Sequence, residues 1–114
     1  MIVADRQTGE VKTTLPIGRD VNAVAYDAQH RRLLIPSGVD ANLMVIDQQD
    51  ADHYAVAATL STLPMAYNMA FDAQRQRVYL PAMDFVQPAP SPAEAKPDPQ
   101  FQADTFSITT LALD

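Results

Sequence analysis

The segment Ala25-Tyr-Asp-Ala-Gln-His-Arg-Arg-Leu-Leu-Ile-Pro36 returns later in the chain as Ala70-Phe-Asp-Ala-Gln-Arg-Gln-Arg-Val-Tyr-Leu-Pro81. Asp27 aligns with Asp72, Ala28 with Ala73, Gln29 with Gln74, Arg32 with Arg77 and Pro36 with Pro81, all at one offset of about 45 residues. A repeated unit of this size buries its apolar side only by stacking on its neighbours, so the recurrence constrains the fold more than any other feature. It says nothing of chemistry, because repeat scaffolds carry many unrelated functions.

Within one period the residues read as strands. Residues 1–17 are expected to hold the end of one strand, a turn at Arg6-Gln-Thr-Gly9 with positive φ at Gly9, and a second strand, Glu10–Ile17, in which Val11, Thr13 and Leu15 alternate with Lys12 and Thr14. Ala23–Tyr26 is short and almost wholly apolar, as befits an inner strand buried on both faces. Asp27–Arg32 forms the next turn, followed by strands at Leu33–Ser37, Asn42–Asp47 and His53–Leu60, with Pro36 near a strand end where a missing N–H costs least. Four antiparallel strands in one period make a propeller blade. The chain is therefore expected to be all-β, a β-propeller fragment of about two and a quarter four-stranded antiparallel blades. Residues 1–17 supply the outer strand of a preceding blade, 18–60 a complete blade and 61–114 an incomplete one. The second repeat is interrupted at about 83–104 by a stretch carrying Pro88, Pro90, Pro92, Pro97 and Pro99, where proline favours an extended, mobile excursion over regular structure. Thr105–Leu113 then resumes as a third strand, rich in β-branched residues.

Composition narrows the function classes. A net charge of −6, with eight scattered Lys and Arg, argues against binding nucleic acid through its phosphates. Without cysteine there is no disulfide framework, thiolate nucleophile or thiolate metal site. No apolar run approaches the roughly 20 residues of a membrane helix, so no membrane insertion is expected, and the N-terminus lacks the basic-then-apolar order of a signal peptide.

The order Leu15-Pro-Ile-Gly18, Ala23-Val-Ala-Tyr-Asp27, Arg32-Leu-Leu-Ile-Pro36 and Asn42-Leu-Met-Val-Ile-Asp47 resembles the YVTN-type repeat of bacterial seven-bladed β-propellers. Arg77-Val-Tyr-Leu-Pro-Ala82 keeps the Val-Tyr of that core while Pro81 and Ala82 replace its Thr-Asn. The resemblance implies a longer parent, a periplasmic or cell-surface location, and a function among those of surface-layer proteins, exported binding proteins or lactonase-like enzymes.

Most conspicuous side chains have structural readings. Asp27 and Asp72 open turns, where an Asp carboxylate accepts backbone N–H groups, and Arg32 and Arg77 are expected to pair with them as exposed ion pairs. His30 and His53 are expected to be solvated, lacking close-spaced companions for a metal site. Ser37 and Ser61 stand outside any nucleophile-elbow context, and the methionines, Met65 and Met69 among them, read as gap fillers. No catalytic residue and no metal ligand is assigned.

The functional signal lies in the loops. In a propeller the blade-to-blade connections share one end with the loops between second and third strands. That end would carry Arg19, Asp20, Asn22, Asp40, Asn42, Tyr67, Asn68 and Asp84, the candidate ligand-binding residues, together with the proline-rich excursion. The expected function is a binding or scaffolding module contacting a protein or polysaccharide through this end, without a cofactor. The alternative is a fragment of a lactonase-like hydrolase holding a divalent cation such as calcium through Asp20, Asn22, Asp40 and Asn68. Open flanks are expected to be covered by the remaining blades of the parent chain or in a homo-oligomer, with Glu10–Ile17 of one copy completing the C-terminal sheet of the next.

Overall fold

Alternation of apolar and polar residues with turn residues between them produces hairpins throughout. In a computed structural model, which describes residues Met1–Leu113, every regular element is a strand. A hairpin of β1 (Ile2–Ala4) and β2 (Val11–Thr14) leads into a four-stranded sheet of β3 (Ala25–Asp27), β4 (Arg32–Ser37), β5 (Asn42–Gln48) and β6 (Tyr54–Ser61), hydrogen-bonded in sequence order. A three-stranded sheet follows, built from β7 (Ala70–Asp72), central β8 (Arg77–Ala82) and β11 (Ser107–Ala112). Between β8 and β11 stands a separate hairpin, β9 (Phe85–Val86) with β10 (Gln100–Phe101). All pairings are antiparallel.

The sequence repeat is also a repeat of backbone geometry. Asp27 accepts the N–H groups of Gln29 and His30, and Asp72 those of Gln74 and Arg75. Each turn ends on a left-handed residue, Arg31 (φ 53°) and Gln76 (φ 52°), whose carbonyl accepts from Gln48 in one repeat and from Leu113 in the other. A non-glycine residue adopts that conformation only where its surroundings impose it, and here the carboxylate on one side and the strand ladder on the other do so. Asp20 (φ 61°) and Met65 (φ 64°) form a second such pair in the linkers. By this criterion Leu15 corresponds to Leu60.

The repeat extends to the N-terminal hairpin. Lys12 is bulged out between the pairs Val3↔Thr13 and Ala4↔Val11, as Ala57 is between Val45↔Ala58 and Ile46↔Val56. Asp5 caps the turn before β2 through Gln7 and Thr8, as Asp50 caps the turn before β6 through Asp52 and His53. The β1–β2 hairpin is thus the outer half of the same unit. Gly9 takes the positive φ (75°) that its turn requires.

Period-two alternation sets the core. Leu34↔Val45 and Pro36↔Leu43 are cross-strand pairs on one side of the four-stranded sheet, which we call its forward side. Leu34, Leu43 and Val45 meet Val78, Leu80 and Ala82 of the three-stranded sheet, with Ala66 of the linker between, and Leu111 packs against the cluster. On the back side of the four-stranded sheet, Ile35 and Ile46 are buried as well, and Gly18 of the linker after β2 is seated on Ser37 and Asn42.

Polar ties join the two sheets. Arg32 donates from Nε to Asp27 Oδ2 (3.1 Å) and from Nη2 to Gln76 Oε1 (2.7 Å) and the Leu113 carbonyl (3.3 Å). The Asp27 side chain is wholly buried and that of Arg32 is 16% exposed, so this is a buried pair and not the exposed one expected. In the second repeat Asp72 pairs with Arg75 (2.9 Å), which stands at the position of His30, instead of with Arg77. Arg77 donates to the carbonyls of Arg75 and Gln76.

Further expectations are corrected. The second strand is Val11–Thr14, shorter than Glu10–Ile17, because Pro16 has no N–H to continue the ladder. The inner strand is Ala25–Asp27 and is not buried on both faces: it is the sheet edge, with Val24 63% and Tyr26 48% exposed. The histidines brace turns as well as meeting solvent. His30 Nδ1 lies 2.8 Å from Asp27 Oδ2, and His53 Nδ1 lies 2.7 Å from Asp50 Oδ2. Finally, the insertion is structured at its base. β9 pairs with β10, the rings of Phe85 and Phe101 pack with centroids 6.2 Å apart, and Gln87 Nε2 donates to the Pro97 carbonyl. Two aromatic residues flanking the proline run outweigh the local bias against regular structure, while residues 89–96 between them stay exposed and outside any strand.

Candidate functional site: the long-loop end

Three connections are tied to one another at one end of the sheets, the linkers β2–β3 and β6–β7 and the loop β4–β5, and the base of the insertion lies beside them. Gly38 of the β4–β5 loop donates to the Asp20 carbonyl and accepts from Met65 N–H, so one residue joins both linkers. A Cβ there would stand 2.7 Å from Asp20 Oδ2 and 2.8 Å from Tyr67 Cδ1, which is why only glycine lets the carboxylate and the ring approach. Thr62 N–H donates to the Ala41 carbonyl, and at the insertion base Gln102 N–H donates to Asp84 O while Asp84 N–H donates to Thr105 Oγ1.

Arg19 and Asp40 form the charged part of this end. The Arg19 guanidinium donates to Asp40 Oδ1 from Nη2 (2.6 Å) and Nε (2.9 Å), and the Arg19 N–H donates to Oδ2 (2.7 Å). These bonds, the guanidinium's first, hold the Asp40 carboxyl below the usual carboxylate range and raise the Arg19 guanidinium. The arginine side chain is 75% exposed and the carboxylate 29%, so the cation faces solvent while its partner is half sheltered. Asn22 Nδ2 donates to Asn68 Oδ1 (3.2 Å), linking the two linkers directly.

Of the residues singled out from the sequence, the structure joins Arg19 to Asp40, Asn22 to Asn68, and Asp20 to Tyr67 across Gly38. Asn42 behaves differently. It faces Ser37 across β4 and β5, and its Oδ1, like Ser37 Oγ, is buried without a hydrogen-bond partner beside the Cα of Gly18. It is part of the packing beneath the end, not of its surface. Asp84 contributes through its backbone, closing the insertion. Among the described residues no three or more His, Cys, Asp or Glu side chains converge where a metal ion would sit. Asp40 is engaged by Arg19, and Asn22 and Asn68 by each other.

Sequence reasoning missed the apolar part. Met65, Tyr67, Asn68, Pro81, Met83 and Phe101 line a concavity of about 250 Å³. Leu63, Pro64, Ala82, Met83, Asp84 and Phe85 line a neighbouring one of about 190 Å³. Met83 belongs to both, so they lie side by side between the second linker and the foot of the insertion. Met65 is thus a wall of this groove instead of an interior gap filler. The available signal was the pair of aromatic residues bracketing the prolines, Phe85 and Phe101, which bring the two ends of the insertion together. In comparisons with known proteins, no family model, no curated protein and no solved structure matches the chain.

Proposed function

We propose that the chain is a β-propeller segment serving as a binding or scaffolding module, which contacts a protein or polysaccharide partner through its long-loop end. One observation carries the reading. The two linkers and the β4–β5 loop are cross-bonded and, with the foot of the insertion beside them, form a surface that combines an apolar groove with a solvent-facing arginine and two amides, whereas the opposite end consists of short Asp-capped turns. Rigid strands holding adaptable loops are the usual arrangement for recognition, and a mixed aromatic and amide surface suits hydroxyl-rich or peptide ligands. The YVTN-type resemblance supports a periplasmic or cell-surface setting for such a module.

A polysaccharide array probed with the labelled chain tests the reading. Binding reduced at least tenfold by Tyr67→Ala or Phe101→Ala and unchanged by His53→Ala, at the opposite end, is expected. Binding lost with His53→Ala and kept in the other two variants would place recognition at the turns and refute the assignment.

A further inference from the structure

The repeat sets a linker beside a loop twice and closes the contact only once. Asp20 and Met65 match as the left-handed residues of the two linkers, so Gly18 corresponds to Leu63 and Arg19 to Pro64. In the first repeat the linker is shut against the β4–β5 loop. Val39 N–H donates to the Arg19 carbonyl, Gly18 is seated on Ser37, and Arg19 holds both oxygens of Asp40. In the second repeat Asp84 stands at the position of Val39, and its N–H turns away to Thr105 Oγ1 of the insertion foot. Linker and loop are left apart, and the concavity of about 190 Å³ between Leu63, Pro64, Met83, Asp84 and Phe85 is the gap. Ala82, 7% exposed, also lines it and belongs to the core between the two sheets, so the cleft lies within the covered part of the chain.

The first repeat also shows which side chain the second one lacks. The positions of Arg19 and Asp40 are taken by Pro64 and Phe85, and the carboxylate of this loop comes one residue earlier, at Asp84. Asp84 lines the cleft, and among the described residues its side chain has no hydrogen-bond or ion-pair partner. The connections at this end, residues 18–22, 38–41, 62–69 and 83–105, hold the carboxylates of Asp20, Asp40, Asp84, Glu94, Asp98 and Asp104 against only two cations, Arg19 and Lys96. Arg19 is already engaged by Asp40, so the cleft sits in an anionic surface.

We propose that this cleft binds an arginine side chain presented by a protein partner, with the guanidinium on the Asp84 carboxylate and the methylenes against Leu63, Pro64 and Phe85. The inference rests on recognition through the long-loop end and narrows the partner to a basic protein segment. Charge complementarity selects the occupant, because apolar walls shelter the stem of a long cationic side chain while the carboxylate takes its head. Arginine is favoured over lysine by the pattern of Arg19 on Asp40, where two guanidinium nitrogens share the carboxylate, and by the Phe85 ring, on which a planar cation can stack. An acidic or phosphorylated partner is repelled by the same surface, and a neutral polysaccharide leaves Asp84 without a counter-charge.

The test is an NMR titration of the 114-residue chain, read at the backbone amides, with N-acetyl-arginine methylamide and with its citrulline counterpart, which keeps the shape and lacks the charge. The signals of Leu63, Met83 and Asp84 are expected to shift saturably with the arginine compound. Citrulline is expected to bind at least about tenfold more weakly, and so is arginine to Asp84→Asn, since each change removes a charge-assisted hydrogen bond. Asp84→Glu, which keeps the carboxylate, is expected to retain the response, and Asp104→Asn, at the same end, to leave it unchanged. Both Asp84 variants are expected to keep the remaining spectrum, because only the backbone of Asp84 is bonded to the fold. No shift at the cleft, an equal response to citrulline, or an unchanged affinity in Asp84→Asn overturns the proposal. A chain that binds a polysaccharide through Tyr67 and Phe101 and shows no arginine response overturns this inference alone and leaves the binding module standing. Shifts confined to the turn at His53 would refute both.

Discussion

Replacing Asp27 by Ala is expected to destabilise the protein far more than replacing Asp72 by Ala, although the two residues occupy one position of the repeat. The Asp27 carboxylate is wholly buried and accepts from Gln29 N–H (3.2 Å), His30 N–H (3.4 Å), His30 Nδ1 (2.8 Å) and Arg32 Nε (3.1 Å). Its removal uncaps the turn and strips the carboxylate from an arginine that is only 16% exposed. Loss of one partner of a buried charged pair costs about 3–5 kcal/mol when the other is left with nothing. Arg32 keeps Gln76 Oε1 and the Leu113 carbonyl, so the expected cost falls below that range, at about 2–3 kcal/mol including the lost turn bonds. Asp72 caps its turn in the same way but pairs with an arginine that is 73% exposed, where water replaces the lost partner. Urea unfolding followed by circular dichroism at neutral pH measures both. With a slope of about 1–2 kcal/mol per molar urea, Asp27→Ala is expected to move the midpoint down by about 1–3 M. Asp72→Ala is expected to move it by less than half as much. Equal shifts would refute the reasoning, since they would mean that burial and the link between the sheets contribute nothing beyond the turn.

Three further outcomes are expected. Gly18→Ala sets a Cβ 2.1 Å from Ser37 Oγ and 2.5 Å from its Cβ, so it is expected to cost about 1–3 kcal/mol in urea unfolding, largely recovered in the Gly18→Ala, Ser37→Gly double variant. Burial works to raise the Asp27 carboxyl, but the bonds from His30 and Arg32 outweigh it and leave it below its ordinary 3.8. A lowered carboxyl contributes stability that is present above its unfolded value and is lost as pH falls through the folded one. The urea midpoint is therefore expected to drop below about pH 4, and less steeply in Asp27→Asn. Brief digestion with a broad-specificity protease, read by mass spectrometry, is expected to cut within the exposed residues 89–96 and to leave the β9–β10 base joined to its sheets; first cleavage elsewhere would contradict the exposure of that segment.

The recurrence of Asp27-Ala-Gln and Asp72-Ala-Gln, with β-branched and aromatic residues in alternation, determined an all-β chain of hairpins and the position of its Asp-capped turns. These are local effects: a carboxylate reaches backbone N–H groups two and three residues on, and period-two alternation selects a side of the sheet before any partner is present. Most of the long-loop positions were legible for the same reason, since turn and linker positions follow from where strands end, but Asn42 lies in β5. Pairing over distance was not legible. Nothing in the alignment of Arg32 with Arg77 distinguishes a buried residue that spans two sheets from one that bonds neighbouring carbonyls, because Gln76 and Leu113 lie far from Arg32 in the chain. Nor did the prolines reveal that Phe85 and Phe101 meet across the insertion to shape a groove with Met65, Tyr67 and Met83. Leu43 and Ile108, which face Pro36 and Pro81 at equivalent positions of the two sheets, end in opposite circumstances for a single physical reason: a second sheet stacks on the first, and only tertiary packing decides which copy of a position is covered.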